Sequence, residues 1–303
     1  MSASVASGAG RPGASTEFDV RTHGRRRLAL LAAILPAAFL LATFVGPLAR
    51  LLLASVQNSN GRYTLDHYRQ VWSTGYYVDA IWQTVLLAVM IMITCVIGGY
   101  LMAVPLARSR SRAVRGLVLV AVLSPLLTSV IVRNYGWLVL LAPNGVVARV
   151  WELLTQAAAP QMLYNVPAAF VATTHVLMPF AALTIAPGIG DVPRHLETAS
   201  TSLGASAART FFRITLPLSL PAVTVAATLV FLLAMGIYVT PLVVGGDTVP
   251  FLGIRVYQTI FQLGDYPTAS ALGFSLALVT AVGTAVLLVL FAWVRKMGGV
   301  GAR

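Results

Sequence analysis

The side chains that usually carry catalysis are few in this chain, and their spacing excludes most reaction centres. The histidines are His23, His67, His175 and His195, and no two stand at the i, i+4 separation of a zinc-binding HExxH helix. The single cysteine, Cys95, lies inside an apolar run, so neither a thiolate site nor an internal disulfide has a second ligand. A phosphate-binding P-loop needs a Gly-Lys pair ahead of Ser or Thr, and the one lysine, Lys296, is followed by Met297. The expectation is therefore a chain that is not an enzyme, with no metal and no cofactor. His175, inside an apolar run, reads as a packed polar residue bonded to a neighbouring helix.

Two polar features remain. Residues 196–217, LETASTSLGASAARTFFRITLP, combine helical periodicity with an acid, two arginines and a glycine between two apolar runs. Arg133 stands deep in an apolar run, where its cost demands a partner or a water-filled cavity. It either faces such a cavity beside Tyr135 and Trp137 or is a snorkelling or backbone-bonded structural arginine.

The elements that position these residues follow from composition. The chain has 303 residues, 58% hydrophobic and 10% charged, against roughly 25% charged in an ordinary soluble domain. A bilayer core about 30 Å thick takes roughly 20 apolar residues as helix, because each backbone group must be hydrogen-bonded within its own segment. Six runs meet that length, at approximately 28–53, 80–106, 115–142, 165–188, 218–244 and 268–294. The predicted fold is all-α, a polytopic membrane protein with six transmembrane helices. Residues 1–27, rich in Ser, Ala and Gly, read as a disordered cytoplasmic tail. Residues 28–62 hold a first anchor span and the start of an outer loop. The main transmembrane domain is 63–296, and 297–303 is a short C-terminal tail. The first run exceeds the h-region of a signal peptide, so it reads as a retained anchor.

The formal charge of +12 in a soluble chain would point to nucleic acid, but here its distribution sets orientation. With the N-terminus inside, fifteen of the 21 basic residues fall in the cytoplasmic segments: five in the tail, Arg108, Arg110, Arg112 and Arg115 in one loop, Arg194, Arg209 and Arg213 in the next, and three at the C-terminus. The outer loops hold Arg50, Arg62, Arg69, Arg149 and Arg255. This bias predicts two cytoplasmic termini and places 196–217 in the cytoplasm. All nine acids fall outside the six runs, whereas an ion-coupled carrier places carboxylates within its spans. No internal repeat supports an inverted-repeat carrier.

Within the loop, Pro193 suits a helix start and Glu197 suits its first half. Leu196, Ala199, Ser200 and Leu203 form a narrow stripe at i, i+3, i+4 and i+7. Gly204 falls where a left-handed cap ends the helix, Ser206 can cap a second helix, and Pro217 leads into the fifth run. Phe211, Phe212 and Ile214 are expected to bury against the bundle. Physics alone leaves open an amphipathic connector on the headgroups.

Glu197-Thr198-Ala199, Leu203-Gly204-Ala205-Ser206, Phe211, Ile214, Leu216 and Pro217 resemble the EAA loop of ABC transporter permeases of the binding-protein-dependent importer class. The usual form is Glu-Ala-Ala, three residues, Gly, nine residues, Ile-x-Leu-Pro. On this resemblance Glu197 is taken to stand at the usual spacing from Gly204, nine residues separate Gly204 from Ile214, and Thr198 replaces the first alanine. The resemblance implies a coupling helix that docks on a separate ATPase subunit, with Glu197, Ala199, Leu203 and Gly204 at the contact and Pro217 closing the motif. Over residues 63–292 the chain is similar to spermidine/putrescine-type permeases. Arg133-Asn134-Tyr135-Gly136-Trp137 resembles their Arg-x-Tyr-x-Trp segment, and Tyr238-Val239-Thr240-Pro241 with Gly245-Gly246 their Val-Thr-Pro stretch. That implies a translocation pathway along Arg133, Tyr135, Trp137, Tyr238 and Thr240, and a polyamine or related small solute. The implied partners are ABC ATPase subunits, a second permease or a second copy, an extracytoplasmic solute-binding protein and membrane lipid, with no nucleic acid. The implied location is a bacterial inner membrane. The competing readings are an ion-gradient carrier and a non-transporting scaffold.

Overall fold

The computed structural model describes residues 17–57, 61–247 and 249–297. Residues 1–53 form one unit and 54–303 another. The first holds most of α1, Glu17–Ser55. Residues 17–27 of the expected tail are therefore helical, because a helix already nucleated by its apolar part gains one hydrogen bond for each residue added. The remainder of that tail, residues 1–16, and residues 298–303 lie outside the described residues.

The second unit runs through α2 (Asp66–Ser73), α3 (Gly75–Arg108), α4 (Arg112–Leu127), α5 (Val130–Leu141), α6 (Val146–Thr155), α7 (Val166–Gly190), α8 (Arg194–Ser202) and α9 (Ala207–Thr210). A π-helical turn, Phe211–Thr215, joins α9 to α10 (Leu216–Gly236), and a second, Pro241–Gly245, precedes α11 (Leu252–Phe261) and α12 (Tyr266–Met297). No strand occurs among the described residues.

Six stretches are long and apolar enough to cross a membrane, by length and composition: Pro36–Ser55, Gly75–Arg108, Val130–Thr155, Val166–Gly190, Ala207–Gly236 and Tyr266–Val294. The third differs from the run expected at 115–142. Pro125 removes a backbone donor, and Thr128 is extended at φ −82°, ψ 133°, so that run divides into α4 and α5. With 16 residues, α4 spans about 24 Å, and the qualifying stretch is α5 with α6. Asp79, expected just outside the second span, lies within α3 near its N-terminal end and is exposed.

The core of this unit is α3, α7 and α10. Their facing sides carry Ile91, Cys95, Ile185, Val230, Phe231 and Met235, all buried. Helices in lipid gain nothing from hiding apolar surface from water, so association rests on close packing through small residues. At Gly99 a Cβ would come 2.6 Å from the Ala181 Cβ and 2.9 Å from the Ala182 backbone nitrogen, so only glycine allows α3 to meet α7 there. Outside this core, Thr84 of α3 pins the start of α11: its Oγ1 accepts from the Leu252 N–H at 2.7 Å and donates to the Ala80 carbonyl at 2.6 Å.

Candidate functional site

The loop between α7 and α10 is a helix, a corner and a helix that continues into the membrane. Pro193 is the N-cap of α8. At the other end, Gly204 takes φ +83°, with its N–H on the Thr201 carbonyl and the Ala205 N–H on the Ser200 carbonyl. These two bonds define a Schellman cap. The Ser206 hydroxyl then accepts from the Arg209 N–H at 3.3 Å and starts α9. Leu196, Ala199 and Leu203 are exposed on one face of the loop, Leu203 by 89%. Ser200 turns inward, its hydroxyl 2.9 Å from that of Thr210. Phe211 packs edge-on against Tyr100, ring centroids 5.5 Å apart. Phe212, expected to be buried, is 65% exposed, because the π-helical turn carries it to the outer side of the helix.

Glu197 is not on the exposed face. Its Oε1 accepts from Arg108 Nη2 at 3.1 Å and from the Thr215 hydroxyl at 2.8 Å. Arg108 also donates to the Val192 carbonyl at 2.9 Å. The spacing expected between Glu197 and Gly204 does not hold, which explains the orientation. Four residues, Ser200 to Leu203, separate Ala199 from Gly204, where the usual EAA form has three. Aligned on Gly204, Thr198 takes the motif's glutamate position and Glu197 stands one residue earlier, a rotation of about 100° on a helix. Thr198 is exposed and Glu197 is half-buried. The contact assigned to Glu197 by resemblance thus gives way to an internal brace, and Pro217 lies at the first turn of α10.

The five pathway candidates divide. Arg133, Tyr238 and Thr240 line a cavity of about 500 Å³ together with residues of α7 and α10. Trp137 instead packs near Leu163, Ala168 and Val244 and meets the His175 ring edge-on at 5.5 Å. Tyr135 is 67% exposed and outside that lining. The guanidinium of Arg133 donates through Nη1 to the Pro125 carbonyl at 2.6 Å. It therefore joins the two alternatives left open by the sequence, being bonded to backbone and lining a cavity.

Sequence reasoning missed Arg108, Thr215 and the Val192 carbonyl, whose link to Glu197 crosses up to 89 positions of the chain. It also missed the α7 and α10 walls of the cavity. No group of three metal-ligating side chains occurs among the described residues.

The described residues hold six membrane-length apolar stretches and an exposed, capped helix in the loop ahead of the fifth. Residues 95–297 match the family described as the binding-protein-dependent transport system inner membrane component, and the chain belongs to it. It is a multi-pass inner membrane protein and a permease subunit of an ABC importer. The chain is 28% identical over 253 residues to the inner membrane ABC transporter permease protein YdcU of Escherichia coli (strain K12), covering 79% of this chain and 77% of that protein. It is 26% identical over 218 residues to the spermidine/putrescine transport system permease protein PotB of Salmonella typhimurium (strain SL1344), covering 72% and 75%. Its fold resembles a chain of a bacterial alginate ABC transporter crystallised with an alginate pentasaccharide-bound periplasmic protein, with a TM-score of 0.75, 19% identity and coverage of 90% and 96%.

Proposed function

We propose that this permease subunit moves a small solute along the groove beside Arg133 and draws its energy from ATPase subunits docked on α8. The observation that carries this reading is the pairing of an exposed face, Leu196, Ala199 and Leu203, with an internal brace through Glu197. An apolar face held rigidly against water is a site for a partner. The Arg108–Glu197 bond joins that face to the end of α3, and the π-helical turn joins it to α10. Movement of a docked ATPase therefore reaches two core helices directly. A second permease or a second copy completes the pathway, a solute-binding protein delivers the solute, and both termini are cytoplasmic, as the arginine bias supports.

Polyamines, named for the 26%-identical relatives, are the first solutes to assay. The test is reconstitution of the chain with an ABC ATPase, a second permease and a solute-binding protein. Uptake that requires ATP and is lost with Leu203→Asp supports the reading. Uptake driven by an ion gradient without the ATPase overturns it.

A further inference from the structure

The π-helical turn Phe211–Thr215 lies on the covalent route from α8 to α10. Turns of this kind are rare, are mostly a single turn long and occur frequently at functional sites. Here the Leu216 N–H reaches back to the Phe211 carbonyl, five residues away. Rewinding such a turn to the α form shifts one side against the other by one residue, about 1.5 Å along the axis and 100° around it. A turn free to rewind would therefore absorb a displacement of α8 before it reached α10.

Both ends of the turn are held, and α3 supplies the hold at each. Phe211, at the start, packs edge-on against the Tyr100 ring of α3, with centroids 5.5 Å apart and ring planes at 88°. Thr215, at the end, donates to Glu197, which α3 grips through Arg108. One turn further on, the Ser219 hydroxyl is 2.9 Å from that of Tyr100. Counting protons fixes the direction of that bond. Ser219 has one hydroxyl proton and gives it to the Leu216 carbonyl at 3.1 Å, so Tyr100 is the donor. Tyr100 and Ser219 are both buried, which keeps water from competing for either hydroxyl. Every group in this cluster belongs to this chain.

We infer that Tyr100 is a positioning residue for coupling: it holds the π-helical turn so that displacement of α8 moves α10 instead of rewinding the turn. Its ring and its hydroxyl have separate parts. The ring seats Phe211 and with it the start of the turn, and the hydroxyl seats Ser219 and with it the first turns of α10. Phenylalanine at this position would keep the first contact and lose the second, and leucine would lose both. This inference rests on the reading of α8 as the face on which an ATPase docks.

The test uses the assembled transporter with Cys95→Ala and spin labels on cysteines introduced at Ile93 of α3 and Val225 of α10, both exposed. Pulsed distance measurements with and without ATP and vanadate report whether α10 moves against α3, so no solute need be known. Tyr100→Leu is expected to cut the shifted fraction about fivefold or more, while the ATPase still co-purifies and hydrolyses ATP. Tyr100→Phe is expected to restore part of the shift. Ser219→Ala is expected to match Tyr100→Phe, with the double substitution no worse than either, because the two hydroxyls form one bond. If Tyr100→Leu does not fold, Phe211→Leu removes the partner of the ring and carries the same expectation. An unchanged shift overturns the inference, and so does a loss of shift that runs in parallel with loss of ATPase binding and hydrolysis, which is the mark of a merely structural residue. A parent chain that retains no ATPase, or shows no shift with ATP, overturns the reading of α8 and this inference with it. A parent that shifts, with variants that shift equally, overturns the inference alone.

Discussion

Arg108, in the last turn of α3, and Glu197, in the first half of α8, are bonded at 3.1 Å although 89 positions separate them. Their side chains are 17% and 26% exposed, and Thr215 and the Val192 carbonyl complete the cluster. The carboxylate thus ties α8 to the end of α3 and to the π-helical turn that leads into α10.

Removing one partner leaves the other partly buried without its opposite charge, which costs about 1–3 kcal/mol. Arg108→Gln and Glu197→Gln are each expected to lower the thermal midpoint of the purified protein and to reduce solute moved per ATP. The double substitution is expected to cost less than the sum, because residues in one network are coupled. Additive losses in thermal denaturation and in the transport-to-ATP ratio would count against a brace.

Leu203 is 89% exposed and contacts nothing that its loss should weaken within this chain. Leu203→Asp is expected to change stability by no more than about 0.5 kcal/mol, yet to abolish co-purification of the ATPase. Retained ATPase in pull-down from solubilised membranes would remove α8 as the docking face.

Gly204 holds φ +83° with nothing within 4 Å of where a Cβ would stand. Gly204→Ala therefore tests the backbone alone and is expected to cost about 1–2 kcal/mol. Gly204→Asn should cost less, since Asn is the other residue found at this cap. Thermal unfolding of the two variants in detergent reads the difference.

Thr84 Oγ1 is the acceptor for the Leu252 N–H in a buried position. Thr84→Val keeps the shape and removes the acceptor, leaving a buried donor unpaired at about 1–3 kcal/mol. The loosening is expected around the start of α11, and limited proteolysis of outward-facing loops should show faster cleavage within residues 246–265 with little change elsewhere.

Much of the loop was legible because its signals are local. The Gly204 cap and the Ser206 cap each depend on residues within a few positions, and both form as their side chains require. The direction of Glu197 was not legible in the same way. One residue of offset rotates a side chain by about 100°, and the burial that decides which side faces inward comes from Arg108 and Thr215. The division of 115–142 into α4 and α5 was half visible in Pro125. The extended backbone at Thr128 and the Arg133 bond that holds the Pro125 carbonyl became visible only once the helices were placed.

By itself the sequence determined an all-α chain with six membrane-length apolar stretches, because a bilayer imposes hydrogen bonding within each segment and a fixed minimum length. It also determined that a capped helix stands between the fourth and fifth of them. Only the tertiary structure decided that Arg108 reaches Glu197, that Tyr135 and Trp137 lie off the Arg133 cavity, and that two helix breaks meet there. Those relationships join residues far apart in the chain, and the packing of α3, α7 and α10 through residues such as Gly99 is what brings them within bonding distance.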